Sequence, residues 1–165
     1  DLVPGRAGGQ AAEGAAALIN LTNSAWFAPE GREAHLLFAR LRAVETGLPL
    51  VRSANGGVTA FIDPAGNVFV AELGFRAGMW PGTSPPSPDA TGGRVSVFNS
   101  QGKLEARWGG GENPCAPGDF FAPHDIWVDP CGDIYVAEVT MSAGGNRGMV
   151  PAECRSLQKF ARVGP

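Results

Sequence analysis

The stretch Phe61-Ile62-Asp63-Pro64-Ala65-Gly66-Asn67-Val68-Phe69-Val70-Ala71-Glu72 returns, position for position, as Trp127-Val128-Asp129-Pro130-Cys131-Gly132-Asp133-Ile134-Tyr135-Val136-Ala137-Glu138, 66 residues later. Each copy reads as an alternating strand, an Asp-Pro-x-Gly turn and a second alternating strand, which is the grammar of a β-hairpin. Asp63 and Asp129 are turn formers first, because an aspartate carboxylate caps backbone N–H groups of its own turn. A hairpin phrase repeated at a fixed offset points to a repeat architecture.

Upstream of the first copy the pattern is different. Residues 1–14 carry Pro4, Gly5, Gly8, Gly9 and Gly14, which predicts a flexible segment rather than a helix. The run from Ala15 to Thr22 is short, continuous and apolar, as in a strand buried on both faces. A loop over Asn23–Phe27 precedes a helix over Arg32–Thr46, with Leu37, Leu41 and Val44 at helical spacing and Gly47 and Pro49 as stop signals. Strands over Leu50–Ala54 and Val58–Asp63 follow, separated by Asn55-Gly56-Gly57 and expected to pair. A βαββ order is an α/β arrangement.

Downstream, strands are predicted at Val68–Leu73, Arg94–Phe98, Lys103–Trp108 and Ser156–Phe160, with the second hairpin before the last of these. Long loops at Gly74–Gly92 and Met141–Arg155 interrupt them, and no helix is predicted beyond residue 47. Gly and Pro make up about 23% of the residues, yet they sit in discrete turns, so a loop-rich β protein fits better than low complexity.

A net charge of -3 with no basic stripe argues against nucleic acid as a partner. No apolar run approaches the roughly 20 residues of a membrane-spanning helix. Residues 1–18 lack the basic-then-apolar pattern of a signal peptide, and a start without Met suggests a processed or partial product. The three cysteines, Cys115, Cys131 and Cys154, have no zinc or redox spacing. Cys115 with Cys154 is the preferred disulfide, since both lie in irregular loops flanking one predicted hairpin unit; three free thiols is the standing alternative.

Residues 15–68 resemble the carbon-nitrogen hydrolase (nitrilase) superfamily, most closely the nitrilase-like domain of apolipoprotein N-acyltransferases. The resemblance is carried by Asn20-Leu21-Thr22-Asn23-Ser24-Ala25-Trp26-Phe27, His35, the stretch Ala39–Arg52 and Ser53-Ala54-Asn55-Gly56-Gly57. The family more often has Asp at the place of Ser24 and Gly at that of Ala28. The resemblance implies a Glu, Lys, Cys triad upstream of the matching segment, in which Cys attacks an acyl donor and Lys steadies the oxyanion. The first 18 residues hold neither Cys nor Lys. Trp26 and Phe27 would line the substrate side in the family, with loop or core packing as the blander expectation.

Residues 57–160 resemble NHL-repeat β-propellers, including those related to peptidyl-α-hydroxyglycine α-amidating lyase. Gly93–Phe98, Gly102-Lys103-Leu104, Trp108-Gly109 and Pro117–Asp129, continuing through Gly132–Glu138, carry it. In these terms Lys103–Phe160 supplies the four strands of one blade and Val58–Phe98 the last three of the blade before. The fold expected is thus mixed and mainly β: a βαββ nitrilase-like fragment over residues 15–62, then about one and three quarter blades over residues 63–165, with the ring not closed. The seam falls within residues 58–68, where both families write Asp-Pro-x-Gly.

By the same resemblance His124 is a candidate Zn²⁺ ligand facing a propeller channel, although one His is not a site. Glu72 and Glu138 end the inner strands and, in a partial ring, are expected to face water. The resulting expectation is a fragment without an intact active site and without a bound cofactor, whose blades offer at most an interaction surface. Open sheet edges make self-association plausible. The alternatives are an acyltransferase remnant whose triad lies outside the chain and a metal-dependent lyase completed by other chains. Both resembled families are often extracytoplasmic, which leaves the compartment open.

Overall fold

A computed structural model describes residues 4–55, 57–72 and 92–163. The proline-rich loop expected over Gly74–Gly92 lies outside the described residues except for Gly92. The chain divides into two compact units, Asp1–Val70 with Val97–Glu105, and Ala71–Ser96 with Ala106–Pro165. It is mainly β, with a six-stranded sheet in the order β1-β2-β3-β4-β5-β6 and a three-stranded sheet in the order β7-β8-β9.

The first unit opens with α1, Pro4–Ala12. The sequence reads this stretch as a loop. The helix forms because Ala7 packs against the core of the unit, and tertiary burial overrides the poor glycine propensity. Strand β1, Leu18–Asn23, pairs in parallel with β2, Leu50–Asn55, in the register Leu18↔Leu50 to Asn23↔Asn55. The crossover between them is α2, Pro29–Thr46, which starts with Pro29 and Glu30 in its first turn and ends at Gly47 with φ +66°. Parallel strands require such a crossover.

Two expectations about burial are corrected. The β1 strand is not covered on both faces: Leu18 is buried, whereas Ile19 and Leu21 are 75% and 78% exposed. Among the described residues it is an edge strand with β2 as its partner, and α2 packs on the Leu18 face through Ala39 and Ala43. Nor does the Leu37, Leu41, Val44 stripe of α2 face the core, for all three are exposed. Ala39 and Ala43 take that place, packing with Leu18, Leu50 and Ile62. Small side chains let the helix approach the sheet closely; a leucine stripe would hold it off.

The expected pairing of β2 with the next strand is present: β3, Ala60–Ile62, runs antiparallel to it in the register Leu50↔Ile62 and Arg52↔Ala60. Strand β4, Val68–Glu72, completes the first copy of the repeated hairpin with Phe61↔Phe69 and Ile62↔Val68. In the turn, Asp63 Oδ1 accepts from the N–H groups of Ala65 (2.9 Å) and Asn67 (2.8 Å), and Gly66 sits at φ +85°. Asp129 does the same for Cys131 and Asp133. Asn99 repeats the device for Gln101 and Lys103, joining β5, Arg94–Phe98, to β6, Leu104–Gly109. Arg40 of α2 donates to the carbonyls of Gly66 (3.2 Å) and Ser100, one in each of two such turns.

Strand β6 therefore corrects the expected blade boundary. It follows β5 in the larger sheet rather than joining β7, Pro123–Val128, β8, Ile134–Glu138, and β9, Leu157–Phe160. The turn at Asn99 joins β6 to β5 as a hairpin, and the Gly110 N–H still donates to the Gly93 carbonyl at 2.8 Å just past the ends of both strands, so β6 stays beside β5 along its length. Between β8 and β9 lies a short helix α3, Thr140–Ala143, and a 3₁₀ turn at Gly145–Arg147, where no helix is predicted from the sequence. Ala143 is buried there with Phe121 and Val150, which holds a segment too short to be stable alone.

Replacing Asp63 with Ala removes two backbone caps and the side-chain bond from Asn67. An expected loss of about 1–2 kcal/mol, by analogy with helix caps, will appear as a lowered urea midpoint.

Candidate functional site

The carboxyl ends of β1 and β2 are where an α/β sheet offers a crevice for chemistry. The loop leaving β1 holds Ser24, Trp26 and Phe27 at that end. Asn23 Oδ1 accepts from the Ala25 N–H at 3.1 Å and from Asn55 Nδ2 at 3.3 Å, tying the loop to the neighbouring strand. Arg32 donates to the carbonyls of Phe27 (3.0 Å) and Ala25 (3.3 Å) from the first turns of α2. The Phe27 ring lies 4.6 Å from His35. Trp26 is 75% exposed, so packing into a core is excluded for it, while Phe27 is half covered.

Ser24 is fully buried, and its Oγ has no hydrogen-bond partner among the described residues. No base stands beside it there, so the loop presents a fixed aromatic surface rather than an activated nucleophile. Behind it, Arg52 is buried, donating to Asn20 Oδ1 and to the Val58 carbonyl. Burial pulls its pKa below the ordinary guanidinium value.

His124 occupies the irregularity between the pairs Pro123↔Glu138 and Asp125↔Ala137, a bulge that turns its ring outward. Its Nδ1 lies 3.3 Å from Asp125 Oδ2. Among the described residues no group of three or more His, Cys, Asp or Glu side chains is placed to hold a metal, so the ligand set that zinc needs is not assembled at His124. Cys115 and Cys154 are joined in a disulfide with Cα atoms 5.1 Å apart, and Cys131 is free and exposed on its turn.

The two repeat glutamates do not simply face water. Glu72 Oε2 accepts from both Nε and Nη2 of Arg94 at 2.8 Å, while its Oε1 accepts from Ser96 Oγ, which in turn accepts from Arg107 Nε at 2.7 Å. Glu138 is buried; its Oε2 accepts the N–H groups of Phe121 (2.7 Å) and Ala122 (3.2 Å), and Gln158 Nε2 reaches Oε1 at 3.3 Å. The sequence signal for the first cluster was Arg94, Ser96 and Arg107 at same-face positions of adjacent alternating strands. For Glu138 there was no local signal, because its donors belong to a loop folded over it.

Part of this chain is similar to apolipoprotein N-acyltransferases. The relative from Rhodopseudomonas palustris is 59% identical over 90 residues, 54% of this chain and 16% of that protein. Those from Allorhizobium ampelinum and Agrobacterium fabrum are 58% identical over 57 residues and 49% over 69, covering 34% and 41% of this chain and 11% and 13% of theirs. The chain thus spans about one sixth or less of these relatives. No protein-family profile matches the chain. No solved structure matches it either. Among the described residues no helix is long and apolar enough to cross a membrane.

Desolvation is the largest influence on Glu138 and raises its pKa above the ordinary 4.5, against the opposing pull of its three hydrogen bonds. The folded state then binds this proton more tightly than the unfolded state. The group's contribution is greatest below 4.5 and is lost as pH rises through the interval up to the raised folded value. Urea midpoints measured across that interval will fall less in Glu138→Gln than in the native chain. Reduction of the disulfide, which spans 39 positions, is expected to cost about 4 kcal/mol, read by denaturation with and without reductant.

Proposed function

We propose that residues 15–68 are acyltransferase-like scaffold from a nitrilase-type domain, without acyl-transfer activity of their own because the Glu, Lys, Cys triad lies outside this chain. The observation that carries this reading is the β1–α2–β2 unit, parallel strands with an alanine-faced crossover, in a chain 59% identical to an N-acyltransferase over 90 residues. The cysteine chemistry supports it. Cys115 and Cys154 are tied up in a disulfide, Cys131 stands on a hairpin turn, and the chain's lysines are Lys103 and Lys159. In this reading the loop with Trp26 and Phe27 retains a substrate-side surface and no machinery.

A second element of the proposal concerns the β meanders. The same Asx turn closes three hairpins, at Asp63, Asn99 and Asp129, which favours β3–β6 and β7–β9 as NHL-type blades of an open array serving as an interaction surface. The domain boundary then falls near residue 62, with the seam in 58–68.

Incubation of the purified chain with an activated fatty-acyl thioester, followed by intact-mass analysis and release kinetics, tests the first element. No acyl adduct that turns over is expected. Catalytic release of acyl groups through Cys131, abolished by Cys131→Ser, would overturn it.

A further inference from the structure

Residues 154–158 grip residues 115–119 within the second unit. Cys154 holds Cys115 through the disulfide. Arg155 Nη1 donates to the Cys115 carbonyl at 2.9 Å, and Arg155 is exposed, so water competes for that bond. Gln158 is buried and takes the far end of the segment: its Oε1 accepts from the Gly118 N–H at 3.0 Å and its Nε2 donates to the Asp119 carbonyl at 2.7 Å. The same Nε2 reaches Glu138 Oε1 at 3.3 Å, so the amide that holds the segment also covers one oxygen of the buried carboxylate. The other oxygen, Oε2, is held by the Phe121 and Ala122 N–H groups. That side has its own anchors, because Phe120 bridges Gly93 and Phe121 packs with Ala143 and Val150. The bonds from Ala116 to Asn113 and from Asp119 to Ala116 shape the segment without attaching it to anything else.

The geometry points to a redox latch: reduction of Cys115–Cys154 releases residues 115–119 from residues 154–158 and opens Glu138 Oε1 to solvent, while its Oε2 side stays in place. The reductant is a dithiol. Its thiolate attacks Cys115 Sγ, on the more exposed of the two cysteines, forming a mixed disulfide and expelling the Cys154 thiolate, which takes up a proton. The second thiol of the reductant then closes onto the first and releases Cys115 as a thiol, so the reductant leaves as a cyclic disulfide and the protein gains a pair of electrons and a pair of protons. Among the described residues, the hydrogen bonds then left across the gap are those of Arg155 and Gln158, and both exchange for water once no tether holds the two segments together. This latch belongs to the second unit and does not rest on the acyltransferase reading.

The test compares the full chain oxidised, reduced with dithiothreitol, and as Cys115→Ser. Amide hydrogen exchange is followed in each, and carboxylates are labelled with a water-soluble carbodiimide and an amine after the reductant is exchanged away without oxygen. Reduction is expected to speed exchange at the Gly118 amide on the order of a hundredfold, as loss of a disulfide tether implies, and to bring label onto Glu138. The amides of the β7–β8 ladder are expected to stay protected. Cys115→Ser is expected to match the reduced chain with or without dithiothreitol. The reduction arm needs no substitution and stands whether or not that variant folds. Unchanged exchange at Gly118, an unlabelled Glu138 after reduction, or loss of protection throughout the β7–β8 ladder together with Gly118 would each overturn the inference.

Discussion

Everything in the first unit depends on the close seat of α2 against the sheet at Ala39 and Ala43. Both alanines are fully buried against Leu18, Leu50 and Ile62, so no bulky side chain separates helix from strands. That closeness sets what the neighbouring positions can be. Arg42, between them on the helix, and Arg52, on β2, are both buried. Each is then obliged to find oxygen acceptors inside the unit, which Glu45, Asn20 and the Val58 carbonyl supply.

The second unit solves the opposite problem, a shortage of regular structure around a buried carboxylate. Gln158 bridges between Glu138 and the loop, donating to the Asp119 carbonyl at 2.7 Å and accepting from the Gly118 N–H at 3.0 Å. The loop is thus ordered by polar bonds on one side. On the other, the disulfide and the cluster of Phe121, Ala122, Ala143 and Val150 hold it. Trp108 meets Phe160 edge-on at 5.2 Å, and Phe120 lies tilted against the same ring at 5.9 Å.

Much of this was legible from residues alone. The turns at Asp63 and Asp129 follow from side-chain chemistry within five residues, and the end of α2 follows from Gly47. What escaped depended on partners distant in sequence. The apolar stripe of Leu37, Leu41 and Val44 has a correct helical period yet faces away from the core, because the helix orientation is chosen by how closely it can approach β2 and β3. The helix α1 needed α2 to exist, and β6 lies beside β5 because the Asn99 turn makes the two a hairpin, a local pairing that the blade expectation passed over. The surface of Trp26 and Phe27 was readable as a resemblance; the burial of Glu138 was not, since its covering loop leaves no mark beside it in the sequence.

Arg40 gives the hairpins something hydrophobic patterning does not supply. A strand that slips by two residues keeps its inward and outward faces, so apolar burial barely distinguishes the slipped ladder from the correct one. Such a slip moves a turn by roughly 6.6 Å along the strand. The carbonyls of Gly66 and Ser100 would then pass out of reach of the one guanidinium that reads both. The helix thereby acts as a gauge of strand alignment, admitting the hairpins in which both turns end at the same height.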